Sequence, residues 1–188
     1  MQTTKLKLGS IQRDSLPIPG AEPWHVRATD AALLVMIDFR SRSSVTVSEK
    51  TPLDEALGHM KHTGVRCAFV VDDKKSAVVG MLTAYDILGE SRQRHMHFTG
   101  VGHDDVLVRD IMQKISDWRV ANIKDIEQST VGDLLEVFLN TGVTHVPVME
   151  ATDSNELRLR GLFSFAKVKR LLADVAGTIG QTSLKKAG

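Results

Sequence analysis

The stretch V-V-G-M-L-T-A-Y-D-I-L, Val78 to Leu88, decides how this chain is organised. A short apolar run rich in β-branched residues passes Gly80 and continues through Met81 and Leu82 as a strand. Thr83 then opens a helix, and a carboxylate follows three residues on at Asp86. The same pattern returns near the C-terminus as L-R-G-L-F-S-F-A-K-V, Leu159 to Val168, with Ser164 in the place of Thr83 and Lys167 in the place of Asp86.

The matched features extend backwards from both copies. Val45-Thr46-Val47 is a short β-prone run, and Thr51-Pro52 follows, with Thr51 placed to cap a helix whose first position tolerates Pro52. Leu53, Ala56, Leu57 and Met60 then recur at i, i+3, i+4 and i+7, one apolar stripe of an amphipathic helix that ends near Thr63-Gly64. Arg66 to Val71 is a buried strand, Asp72 to Lys75 a charged turn, Ala77 to Leu82 the second strand of a hairpin, and the helix from Thr83 fades around Arg92 to Met96. Shifted by 78 residues, the stripe becomes Val131, Leu134, Leu135 and Phe138, Gly64 becomes Gly142, and Ala68–Val71 becomes Val146–Met149. Past the hairpin the offset is 81, because the turn E-A-T-D-S-N-E is three residues longer, and Gly80 then meets Gly161. Even the element ahead of each unit recurs, Val35-Met36 matching Ile111-Met112. Five matched features in one order, with slips confined to loops, indicate an internal duplication.

Divided on that basis, the chain has an N-terminal arm with three prolines over residues 1–28, a first repeat at 29–96, a second at 97–173 and a tail at 174–188. Thr29 and Asp30 are placed to cap a short apolar helix over residues 31–36. The segment from His95 to Asp105 joins the repeats.

Composition excludes several classes. The 188 residues are 42% hydrophobic and 25% charged, with a net charge of +1 and Lys and Arg spread evenly rather than in a basic stripe, which disfavours nucleic acid. The longest fully apolar run, Ala31 to Ile37, is far too short to enter and cross a bilayer. The first residues lack the apolar core of a secretory signal, and a single cysteine, Cys67, forms no internal disulfide, so a cytoplasmic protein is expected.

The order β-α-β-β-α twice over, with V-R-D-I-M at Val108 to Met112 ahead of the second unit and G-M-L-T-A-Y-D-I closing the first, resembles the CBS domain. Two in tandem look like a Bateman module, and the resemblance covers residues 29 to 173. It implies an α/β (α+β) fold in which two three-stranded sheets pack face to face about a pseudo-twofold axis, with clefts where the repeats meet. It also implies an adenosyl ligand, AMP, ADP, ATP or S-adenosylmethionine, pairing into a homodimer, and regulation of a separate, unidentified partner protein.

The chemistry at such a cleft asks for particular side chains. A ribose presents two neighbouring hydroxyls, and a carboxylate accepts both as charge-assisted bonds. Asp86 is placed for that, Thr83 to add a hydroxyl contact, and the helix start to offer amides to a phosphate. T-x-x-D is equally a capping box, so residue pattern alone leaves both roles open. In the second copy Lys167 cannot accept from a ribose, and is expected instead to reach phosphates held by the first repeat, alongside Arg66, which follows the cap glycine, His145, in a comparable place before V-P-V, and Lys169 and Arg170, for which a solvated helix face is the favoured role. Val45 and Met81 are candidate walls for the base, with Ser44 at the strand entrance, and core is an equal role for both walls. His95, His97 and His103 with Asp104 and Asp105 are a possible metal set, although the irregular spacing favours a solvated loop. No nucleophile, base and orienting group can be assembled, so an enzyme is not expected. A ligand-free dimerising interaction protein is the alternative to a sensor.

Overall fold

The computed structural model describes residues 10, 22–74, 77–154 and 156–172. The first 21 residues of the expected arm apart from Ser10, part of the first hairpin turn and the tail beyond residue 172 lie outside the described residues.

Two sheets form, and each has four strands rather than three. In the first, β2 (Thr46–Ser48) runs parallel to β3 (Cys67–Val71), which pairs antiparallel with β4 (Val78–Thr83). In the second, β6 (Ala121–Asn122), β7 (His145–Ala151) and β8 (Leu157–Ser164) repeat that order. The fourth strands are exchanged. Strand β1 (Ile37–Asp38), which leads into the first repeat, pairs with β8 of the second, and β5 (Gln113–Lys114), which leads into the second, pairs with β4 of the first.

The exchange explains the two matched glycines. A Cβ on Gly80 would lie 2.8 Å from both the Gln113 carbonyl and the Met112 Sδ, and one on Gly161 would lie 2.8 Å from both the Ile37 carbonyl and the Met36 Sδ. Each glycine therefore admits the strand and methionine that arrive from the other repeat. The same segments carry buried side chains across. Ala32, Val35 and Met36 pack in the second repeat's core, while Val106 and Val108 pack in the first's.

The amphipathic helices form where the apolar spacing places them. Helix α1 (Leu53–Thr63) buries Leu53, Ala56, Leu57 and Met60 and ends on Gly64 at φ 71°. Its counterpart in the second repeat, α6 (Val131–Thr141), buries Val131, Leu134 and Phe138 and ends on Gly142 at φ 69°. Both glycines take the left-handed conformation that terminates a helix. Three local expectations change. Thr51 does not cap α1: Pro52 occupies the N-cap without a side-chain bond, and Thr51 instead gives its carbonyl to the Val108 amide at 2.9 Å. The segment at 31–36 is a single 3-10 turn, Ala32–Val35. The helix after Thr83 is two helices, α2 (Ala84–Leu88) and α3 (Glu90–Thr99), so it continues past Met96 to Gly100. Between α3 and α6, α4 (Val108–Ile111) and α5 (Ile123–Ile126) are single turns, and residues 165–172 form a helix directly after β8.

Between the sheets lies a third cluster, Phe69, Met81 and Leu162, joined by half-buried Ile37, Cys67, Val78 and Trp118. Phe69 meets Phe39 edge-on at 5.5 Å between ring centres. Burial of this apolar seam, drawn from both repeats, is what makes the pair one body.

Candidate functional site

Both copies of the strand-turn-helix sit at one end of their sheets, and the local chain reproduces the same backbone bond in each. The Ala84 amide donates to the Arg66 carbonyl at 2.9 Å, and the Phe165 amide donates to the Thr144 carbonyl at 2.9 Å. The ladder pairs Cys67 with Thr83 and His145 with Ser164, so His145 is the counterpart of Cys67, and Thr144 is the counterpart of Arg66. The sequence spacing of 78 contained this correspondence, which the general likeness of position had obscured.

In the first copy Thr83 is 1% exposed and closes a reciprocal cap. Its amide and its hydroxyl donate to Asp86 Oδ2 at 2.8 and 2.7 Å, and the Asp86 amide donates back to its Oγ1 at 3.2 Å. The hydroxyl thus already donates one bond and accepts one inside the protein. With the Ala84 and Asp86 amides also satisfied, the five-residue α2 offers a phosphate less than its sequence promised. Thr130 and Asp133 form the same cap at the start of α6, with the same 2.8, 2.7 and 3.2 Å geometry on an exposed surface. At both of these positions T-x-x-D is a helix-capping device.

What separates Asp86 from Asp133 is surroundings. Asp86 is half-buried, its cap uses only Oδ2, and its charge reaches across to the second repeat. Burial pushes the His145 imidazole down to about 4, and the nearby Asp86 carboxylate opposes that only in part. His145 is 8% exposed, with Nδ1 3.0 Å from the Thr144 hydroxyl. It is neutral at neutral pH, which corrects its expected part as a phosphate-binding cation. Burial, reinforced by Asp86, pushes the Cys67 thiol up to about 12, so it is inert core.

The remaining candidates divide. Arg66 is exposed beside Thr83 and Asp86. The parallel register of Thr46 with Phe69 sets Ser44 level with Cys67, so Ser44 belongs to the same sheet end. It lines, with Phe39 to Ser43, an open depression of about 450 Å³ on the loop between β1 and β2. Val45 is half-buried against the first repeat's core. Met81, 2% exposed, is enclosed between the sheets and is no wall for a base. Lys167 is not free to cross a cleft, because its Nζ donates to Glu22 Oε1 at 2.9 Å.

A second cleft, about 390 Å³, opens between the repeats and is lined by Tyr85 from α2 and by Thr144, His145, Ser164, Phe165, Ala166 and Lys169. Lys169 lies 5.5 Å over the Phe165 ring. Tyr85, Thr144 and Phe165 were missed from the sequence; the register offset that equates Phe165 with Ala84 is the signal that would have found them.

The linker histidines do not assemble a metal set among the described residues. His103 and Asp104 come together with Asp54, but the Arg92 guanidinium already lies among them, 2.8 and 2.9 Å from the Asp54 carboxylate oxygens and 2.9 Å from His103 Nδ1. Arg92, 7% exposed, also donates to the His103 carbonyl at 2.7 Å and so clamps the linker onto α1. No helix among the described residues is long and apolar enough to cross a membrane.

Two β-α-β-β-α units that exchange leading strands and pack sheet to sheet define a tandem-repeat module. The CBS domain family model matches residues 36–92, and the second unit repeats the fold of that matched unit. The chain is similar to a CBS-domain-containing protein of Agrobacterium tumefaciens, with 22% identity, 77% of this chain and 93% of that one covered, and a TM-score of 0.53. It is similar also to an uncharacterized conserved protein of Pyrococcus horikoshii, with 20% identity, coverage of 76% and 92%, and a TM-score of 0.52. Among curated proteins it is 26% identical over 130 residues to an uncharacterized 17.7 kDa protein of Acidianus ambivalens, covering 69% of this chain and 67% of that one.

Proposed function

We propose that the chain is a ligand-sensing regulatory module that takes an adenosyl ligand, AMP, ADP, ATP or S-adenosylmethionine, at the first repeat and acts on a separate partner protein. The observation that carries this reading is the uncommitted oxygen of Asp86, a half-buried carboxylate at the sheet end where Arg66 and Ser44 also emerge. One carboxylate oxygen has two lone pairs and accepts both hydroxyls of a ribose, while the exposed Arg66 guanidinium reaches the phosphate. Calorimetry with the four ligands tests it. At least one is expected to bind more tightly than about 1 mM, roughly 4 kcal/mol. Asp86→Asn keeps an oxygen for the cap and removes the charge, and is expected to lose that binding, with Asp133→Asn as the control for the cap. If none of the four binds, or Asp86→Asn binds as wild type does, the reading is wrong.

A second reading, a dimerising protein without a small ligand, is favoured by the outer face of α6, where Val137 and Leu139 are 44% and 66% exposed. At the corresponding positions of α1 stand His59 and Lys61. Light scattering on Leu139→Glu tests whether this face pairs two copies, and a monomer is expected from the variant if it does.

A further inference from the structure

Lys167 stands in the first turn of helix 165–172, where the chain places a cation at the positive end of a helix, against the field of the backbone. Its side chain is only 12% exposed, so the ammonium cannot rely on water and needs an anion beside it. That anion is Glu22. A single oxygen, Oε1, lies 2.9 Å from Lys167 Nζ and 2.9 Å from an Arg42 guanidinium nitrogen. Hydrogen bonding from Lys167 first, and then the charges of Lys167, Arg42 and Arg170, hold the Glu22 carboxyl below the usual carboxylate range.

The three cations come from two parts of the chain. Arg42 is on the loop between β1 and β2, and Lys167 and Arg170 are one turn apart on the helix after β8. Glu22 arrives on a separate segment whose nearest anchor is Val26, 1% exposed and donating its amide to the Leu171 carbonyl at 3.2 Å. Between these points Trp24 and His25 are exposed, so Glu22 can be withdrawn without disturbing the core. The carboxylate meets two of the three cations, Lys167 and Arg42, through one oxygen, and Arg170 adds its charge. A phosphate offers several oxygens and more charge to the same three cations.

We propose that Arg42, Lys167 and Arg170 form an anion site in the second repeat that takes a phosphate group, with Glu22 as its built-in plug, expelled when the phosphate binds. The site is independent of Asp86 and of the ribose reading. The probe is inorganic pyrophosphate, which has no ribose, so its result stands apart from the outcome with Asp86→Asn. If the plug is closed about nine-tenths of the time, Glu22→Gln binds pyrophosphate about tenfold more tightly than wild type, by the fraction of open sites. Lys167→Met, which keeps the buried stem, loses the binding in both backgrounds, and Arg42→Gln, at an exposed residue, supplies the same loss should Lys167→Met fail to fold. An ATP arm identifies the source: tighter binding than pyrophosphate with the same dependence on Lys167 means that the group belongs to a nucleotide, and equal or weaker binding means a free polyphosphate. Equal affinity in Glu22→Gln and wild type, or binding that survives both cation substitutions, overturns the proposal.

Discussion

The two strand-turn-helix segments share a backbone and carry opposite charges. At Thr83–Asp86 a carboxylate folds back onto the helix start and satisfies it, leaving one oxygen over. At Ser164–Lys167 an ammonium occupies the corresponding position, opposes the helix dipole and recruits Glu22 from outside the repeat. The architecture is indifferent to this swap, because the packing residues around it, Gly80 and Gly161 or Leu82 and Phe163, answer only to the strands and cores they meet. A duplicated scaffold thus holds its shape while its two polar corners diverge.

The largest effect expected from testing that equivalence comes from the glycines. Gly80→Val and Gly161→Val each push a side chain into an incoming backbone carbonyl at 2.8 Å, and each is expected to cost about 3 kcal/mol in a urea melt. A clear difference between the two would show that the exchanged strands are not equally tight.

His145 and its counterpart Cys67 give the next effect. The unfolded chain protonates this histidine near its ordinary value of 6.5, whereas the folded chain resists until about 4. Its contribution to stability is complete above pH 6.5 and is lost as pH falls towards 4, at up to about 1.4 kcal/mol per pH unit. His145→Cys, which copies the first repeat, is expected to flatten thermal stability between pH 6.5 and 4.5. An unchanged slope would place the acid sensitivity elsewhere.

The smallest effect separates the two caps. Thr83→Ala and Thr130→Ala each remove the two hydroxyl bonds of the same cap and keep the backbone amide bond, and each is expected to cost about 1 kcal/mol by thermal melting. Greater loss at Thr83 would reflect its burial, since Asp86 would then stand half-buried without its hydroxyl partner.

Much of the fold was legible because periodicity and caps are local. The stripe of α1, its copy in α6, the two terminating glycines and the two hairpins all stand where spacing placed them. Thr51 misled because the T-P dipeptide fits a cap in isolation, while its carbonyl was needed by Val108 from the other repeat. Met81 and Val45 are apolar residues on or beside short strands, and nothing local distinguishes a ligand wall from a seam between sheets. The part played by Arg92 was invisible for a related reason: its partners Asp54 and His103 lie 38 and 11 residues away.

Sequence by itself determined the duplication, the β-α-β-β-α order and the substitution of Lys167 for Asp86, since each is written in the spacing and identity of residues. Tertiary structure alone decided that each repeat lends its leading strand to the other, that His145 is neutral, and that Lys167 is held by Glu22. Those facts depend on burial and on contacts between residues as far apart as 145 positions, and no local propensity encodes which distant group arrives.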